Sequence, residues 1–218
     1  MSLTLVIGNK NYSSWSLRPW LAVKQAELNF NETQILLNRP DSTEKILRYS
    51  PSGRVPCLVV DGELTVFDSL AICEYVNERV IEDGKASLWP HDAKARARAR
   101  SVTAEMHSGF AALRTHMPMD IRARRADKGQ SALQRGDVAA DVARIQSVWN
   151  ECLEQGGPML FGGFSIADAF YAPVVTRFAT YGVKLSPLLA AYSDNILALP
   201  AMQQWIAAAK AETEAIET

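Results

Sequence analysis

Every stretch with strand character lies in the first third of this chain, and from about residue 92 no convincing strand appears, the alternating Ala/Arg run at 95–100 included, which reads as a largely solvated helix. LTLVIG (3–8) reads as a short buried strand, and NFNETQILL (29–37) alternates well enough for a second. VPCLVV (55–60) and ELTVF (63–67) flank Asp61-Gly62, the dipeptide of a tight hairpin. Helical patterns fall between and after them. SWSLRPWLAVKQA (14–26) tolerates Pro19 in or near its first turn. STEKILRYS (42–50) is short and amphipathic, and PSG (51–53) ends it. DSLAICEYVNERV (68–80) is apolar at Leu70, Ile72, Cys73, Val76 and Val80, with Ser69 near its start. The order β-α-β-α-β-β-α requires one sheet with both parallel and antiparallel pairs, because a helix joins the first strands and a hairpin the last. From about residue 92 only long helical patterns follow, over 93–117, 136–154, 165–181 and 200–214. The expected layout is an α/β domain over 1–81, a linker over 82–92 and an all-α helical bundle domain over 93–218.

Bulk properties narrow the function. The 218 residues suffice for one large domain or two small ones with a real core, and 48% hydrophobic with 22% charged residues is ordinary for a globular protein. A formal net charge of −1 offers no attraction to nucleic acid or to an anionic membrane. No apolar run approaches the roughly 20 residues of a membrane span. The N-terminus has no basic segment leading into a long apolar one, so no signal peptide is expected. Three cysteines (57, 73 and 152), an odd number without CxxC, suggest reduced thiols and hence the cytoplasm. His107 and His116 share no helical face and no Cys/His cluster has metal spacing, so no metal site is expected.

Three short stretches are candidates for chemistry. Pro56, inside a strand-like segment, is either an edge-strand proline or a cis X-Pro bond that presents the N–H and C=O of Val55 to a bound peptide. Asp68-Ser69 opens a helix. Ser69 is a cap, or else the hydroxyl that joins free helix N–H groups in holding a carboxylate, with Asp68 beside it for an ammonium. Arg54 is a solvated surface arginine or the partner of a second carboxylate. In NYSSWS (11–16), the serines cap a helix or aim a hydroxyl at something reactive. A thiol of pKa near 8.5 is only a few per cent ionised at neutral pH. Lowering its pKa by about two units needs roughly 2.7 kcal/mol, which one hydrogen bond plus a helix N-terminus can supply.

Taken together, SSWSLR, the Val-Pro before a hairpin and Asp-Ser opening the third helix resemble the cytosolic glutathione transferases, over essentially the whole chain. PSGRVPCLVVDGELTVFDSLAICEYV is the strongest block, and GGFSIADAFYAPVV (162–175) resembles the capping box of that family, with Ser165 as cap and Asp168 as its structural partner. SSWSLR is most similar to the SSCSxR of zeta-class, serine-type enzymes, whose reaction is maleylacetoacetate cis–trans isomerisation. The resemblance implies a thioredoxin-like N-terminal domain, glutathione as cosubstrate, and a homodimer. It implies Ser13 as the catalytic hydroxyl, and Ser14, Arg54, Val55, Asp68 and Ser69 as glutathione-binding residues. Trp15 replaces the motif cysteine and Asp68 the commoner Glu or Gln. Ser14, Ser16 and Tyr12 remain rivals to Ser13.

For the electrophile, the resemblance implies that the segment 104–122 borders the pocket, with Trp15, Met106 and Phe110 as candidate walls, although Met106, Phe110 and Leu113 fall on one helical stripe of the kind that more often faces a core. Arg114, Arg122 and His107 are either exposed charges or receivers of an acidic substrate. Two other functions stand beside transfer: a glutathione-dependent disulfide reductase or peroxidase, and a ligand-binding or regulatory protein without turnover.

Overall fold

Leu3, Leu5 and Ile7 point to one side of the first strand and Val6 to the other, the pattern of a strand covered on both faces. In the computed structural model, which describes residues 1–154 and 156–216, this strand is β1 (Leu3–Ile7). It pairs in parallel with β2 (Asn31–Gln34) after the crossover helix α1 (Ser14–Gln25), and antiparallel with β3 (Cys57–Val60). β3 turns back into β4 (Leu64–Phe67), giving the sheet order β2-β1-β3-β4. β3 is shorter than the apolar run because Pro56 has no N–H for the ladder. Leu3, Leu5, Ile7, Leu58 and Val60 join α1 and α3 (Ser69–Glu82) in the main core. Val6, Ile35 and Cys57 pack on the opposite face with Ile46 of α2 (Ser42–Leu47). This is the mixed sheet of a thioredoxin-like domain.

Apart from two isolated bridges, Met159–Gly162 and Phe161–Gly163, the regular elements that follow among the described residues are helices: α4 (Ala93–Ser108), α5 (Ala111–His116), α6 (Ala126–Leu133), α7 (Gly136–Leu153), α8 (Ile166–Tyr181), α9 (Pro187–Ala198) and α10 (Pro200–Ala211). The single helix expected over 93–117 is two. Gly109 leaves α4 in extended backbone and Phe110 turns left-handed at φ 59°. Pro19 is the sixth residue of α1, just past its first turn, so the Trp15 carbonyl lacks its helical N–H donor. α8 is buried almost all round and packs against both α1 and α4, so the two domains share one continuous apolar core. At its start Asp168 accepts from the Ser165 N–H and hydroxyl and from the Leu160 N–H. No helix among the described residues is long and apolar enough to cross a membrane.

Candidate functional site

The site is built where three element starts converge on one cleft of about 380 Å³. α1 contributes Trp15; the turn before β3 contributes Ser52, Arg54, Val55 and Pro56; the junction of β4 and α3 contributes Phe67, Asp68 and Ser69. His107 of α4 closes the wall from the helical domain.

Each position has a local cause. The Val55-Pro56 bond is cis, and among the described residues neither the Val55 N–H nor its C=O is bonded to the chain. Asp68 caps α3 at φ 77°, its Oδ1 accepting from the Leu70 N–H at 2.8 Å and the Ala71 N–H at 3.4 Å. Its other oxygen lies 3.3 Å from His107 Nε2. Ser69 is 1% exposed and its hydroxyl has no hydrogen-bond partner among the described residues. A buried hydroxyl left unpaired is costly, so one that lines a cleft at a helix N-terminus is poised for a ligand acceptor. Arg54 is exposed at the same rim.

The serines are placed differently. Ser13 caps α1; its hydroxyl donates to Ser16 Oγ at 2.8 Å and accepts the Ser16 N–H at 3.3 Å. Ser16 Oγ also accepts the Gly8 N–H at 3.1 Å. Ser14 turns inward, where its hydroxyl accepts from Arg177 Nη2 of α8 at 3.1 Å. Tyr12 is occupied elsewhere, its hydroxyl accepting from Arg122 Nη2 at 3.1 Å. The loop carrying these residues is anchored from the far end of the chain. The Glu212 carboxylate accepts the Lys10 and Asn11 N–H groups at 2.6 and 3.0 Å, and Trp205 Nε1 donates to the Lys10 carbonyl at 2.9 Å.

Arg54, Val55, Asp68 and Ser69 therefore meet at one cleft, with Trp15 facing them. Ser13 and Ser14 do not line it. The expected pocket walls Met106 and Phe110 are also absent from it: both are core residues, at 0% and 7% exposure, because the helix breaks between them at Gly109. His107, one residue along from Met106, takes the wall position instead. Its ring meets Trp15 edge-on at 5.4 Å and Phe170 at 5.9 Å. Burial pulls its pKa below the ordinary histidine value; Asp68 opposes this, while Arg18 and Arg114 reinforce it. Among the described residues no three His, Cys, Asp or Glu side chains group as metal ligands.

Residues 12–79 match the family profile described as glutathione S-transferase, N-terminal domain, and residues 93–208 the corresponding C-terminal domain. The chain belongs to the glutathione S-transferase family. A probable maleylacetoacetate isomerase of Caenorhabditis elegans is 24% identical over 174 residues, covering 80% of this chain and 78% of the relative. A dichloromethane dehalogenase of Methylorubrum extorquens is 46% identical over 50 residues, which cover 23% of this chain and 16% of that protein. Among solved structures, a glutathione transferase homolog from Burkholderia gl BGR1 with bound glutathione aligns at TM-score 0.72 with 24% identity, over 97% of this chain and 100% of the other. Ure2p in complex with glutathione aligns at 0.72 with 18% identity, over 94% and 98%. These likenesses establish the transferase fold.

Proposed function

We propose that this family member is a glutathione transferase whose thiol is activated by a serine hydroxyl. The observation that carries the reading is the unpartnered, buried Ser69 hydroxyl at the N-terminus of α3, beside Asp68, Val55 and Arg54. That set matches the tripeptide group by group. Ser69 and the helix N-terminus take the α-carboxylate of the γ-glutamyl end and Asp68 its ammonium. Val55 pairs with the peptide backbone, and Arg54 takes the second carboxylate.

The sulfur then points toward the N-terminus of α1, where the Ser13 hydroxyl re-aims from Ser16 to the thiolate. Ser14, its side chain held by Arg177, serves by fixing α1 against α8. Addition of the thiolate to an electrophile that expels a group gives conjugation. Addition to a cis enone, rotation and departure of glutathione gives isomerisation, the direction in which the maleylacetoacetate isomerase relative points. The reductase reading is disfavoured by Trp15 at the motif position and by burial of Cys57, Cys73 and Cys152. Free cysteines fit a cytoplasmic location, and the exposed Leu47, Leu64 and Phe67 fit a homodimer.

The test is a pH titration of thiolate ultraviolet absorbance with glutathione bound, on wild type and Ser13→Ala. A bound thiol titrating well below the free value, with the shift lost in the variant, supports the reading. Absence of binding, or binding with an unshifted thiol, turns the protein into a ligand-binding or regulatory member of the family.

A further inference from the structure

Ser13 ends the loop between β1 and α1, and the course of that loop decides where its hydroxyl stands. Residues 10–12 form a turn, closed by the Tyr12 and Ser13 N–H groups, which donate to the Asn9 carbonyl at 3.2 and 2.8 Å. Among the described residues the Lys10 and Asn11 N–H groups have no backbone acceptor. Both donate instead to one carboxylate from the other end of the chain: Glu212 Oε1 accepts from Lys10 at 2.6 Å and Oε2 from Asn11 at 3.0 Å. Two successive N–H groups on a turn are a concavity suited to an anion, and here the chain fills it with its own. Gln34 of β2 donates to the same Oε1, which ties the turn to the sheet edge.

Glu212 is delivered by α10, whose docking on α1 does not depend on it. Trp205 is buried against Trp20 with ring centroids 5.1 Å apart, and its Nε1 donates to the Lys10 carbonyl at 2.9 Å. Glu212 follows the last residue of α10; it is half-buried, and its backbone carbonyl accepts from Arg122 Nη1. Arg122 reaches the same loop twice more, through its backbone N–H to Asn11 Oδ1 at 2.9 Å and through Nη2 to the Tyr12 hydroxyl at 3.1 Å. The cleft is lined by other residues, so Glu212 acts on the reaction through the loop alone. We propose that Glu212 is a positioning residue of the site: its carboxylate, seated on the Lys10 and Asn11 N–H groups, fixes the loop that aims the Ser13 hydroxyl at the glutathione thiolate.

The inference rests on the reading of Ser13 as the hydroxyl that activates the thiol. A hydrogen bond weakens steeply once donor and acceptor leave their line and distance, and a small misplacement of a catalytic group costs rate out of proportion to stability. Without the Glu212 carboxylate the two N–H groups turn to water, and residues 9–11 gain conformers that carry Ser13 away from the sulfur. The groups that hold glutathione, at Arg54, Val55, Asp68 and Ser69, belong to other elements and stay in place. Loss of Glu212 therefore separates two quantities: glutathione still binds, and its thiol ionises less.

Thiolate absorbance of bound glutathione, titrated over a pH series, tests this in a double-mutant cycle with Ser13. Glu212→Ala should lower the thiolate fraction near pH 6.5 at least about threefold, with glutathione affinity within about twofold of wild type. Adding Glu212→Ala to Ser13→Ala should lower it no further, because the hydroxyl through which Glu212 acts is gone. Glu212→Gln keeps one acceptor and turns an amide N–H toward the second donor. It should fall between wild type and Glu212→Ala, and reads the role if Glu212→Ala does not fold. A thiolate fraction indifferent to the Glu212 substitutions overturns the positioning role. So does an equal further loss in the Ser13→Ala background, or a fall in glutathione affinity as large as the fall in thiolate. A wild type whose bound thiol is unshifted overturns the proposed function and the inference with it. A shift that Ser13→Ala abolishes and the Glu212 substitutions leave intact overturns the inference alone.

Discussion

The Ser13 hydroxyl donates to Ser16 Oγ at 2.8 Å, so the free protein holds the motif serine on its own neighbour. A hydroxyl has one proton, and the same proton is wanted by the thiolate. Ser16 can release it without being orphaned, since its oxygen keeps the Gly8 N–H. Its own proton can then turn to Ser13, so that two hydroxyls in series polarise toward the sulfur. Ser13→Ala is expected to leave glutathione affinity within a few-fold, raise the pKa of the bound thiol, and slow conjugation at least about tenfold, equivalent to ~1.4 kcal/mol. Ser16→Ala should slow it less. Stopped-flow conjugation over a pH series measures both. Unchanged rates in Ser13→Ala move the role to Ser14, Ser16 or Tyr12.

Ser69 makes the opposite prediction for affinity. Its hydroxyl has no partner among the described residues, so Ser69→Ala removes none of their hydrogen bonds and should leave the melting temperature unchanged. A hydrogen bond to a charged group contributes about 1.5–3 kcal/mol, so glutathione binding should weaken at least about tenfold while the thiol pKa stays put. Isothermal titration with parallel thermal melts separates the two. An effect confined to turnover means that the carboxylate lies elsewhere.

The sheet was legible because LTLVIG and VPCLVV are short apolar runs, NFNETQILL alternates, and the hairpin before ELTVF declares itself through Asp61-Gly62. Capping chemistry showed Ser165 and Asp168 as a structural pair for the same reason. The helical half was harder. α6, ADKGQSAL, has a polar sequence with an interior glycine, and Gly129 is tolerated because a Cβ there would collide with the Tyr181 carbonyl. α9 carried a signal that can be read, Ser186-Pro187, a cap followed by proline in the first helical turn. The glutathione side of the cleft is read from contiguous motifs. The facing wall depends on how α4 ends, and the left-handed Phe110 that swings it has no signature beyond the preceding glycine. Met106 and His107 are neighbours on α4 that face the core and the cleft respectively, and Phe110 leaves their helix at the break, so the spacing of 106 and 110 did not show which side chain would line the wall.

Asp168 links stability to pH. Three donors from Ser165 and Leu160 favour its carboxylate, yet complete burial outweighs them and pushes its pKa up to about 6 from 3.8. Between about pH 4 and 6 the unfolded chain has lost this proton and the folded chain retains it. Stability then falls as pH rises, by about 1.4 kcal/mol per unit and about 3 kcal/mol in all, and is level above pH 6. Asp168→Asn, which does not titrate, should be less stable throughout because it weakens the cap, but should lack this slope. Urea unfolding of both proteins at pH 4.5, 5.5 and 6.5 gives the difference. A flat difference means that the carboxylate is ionised in the fold.

Trp15 decides between transfer and thiol chemistry. The chain's own thiols are poor nucleophiles: burial raises Cys57 and Cys152 to about 11, and Cys73 higher still. Wild type should therefore reduce a small disulfide with glutathione no faster than solution does. Residue 15 is the second of α1, 37% exposed to the cleft and beside Arg18. A thiol there would sit at a helix N-terminus next to a guanidinium, the surroundings that lower a cysteine pKa below about 8.5. Trp15→Cys should gain glutathione-dependent reduction of hydroxyethyl disulfide by at least about tenfold and lose part of its conjugating activity, because the sulfur of glutathione is diverted into a mixed disulfide. A wild type that already reduces the disulfide as fast as the variant would place this chain among the reductases and remove Ser13 from the centre of its chemistry.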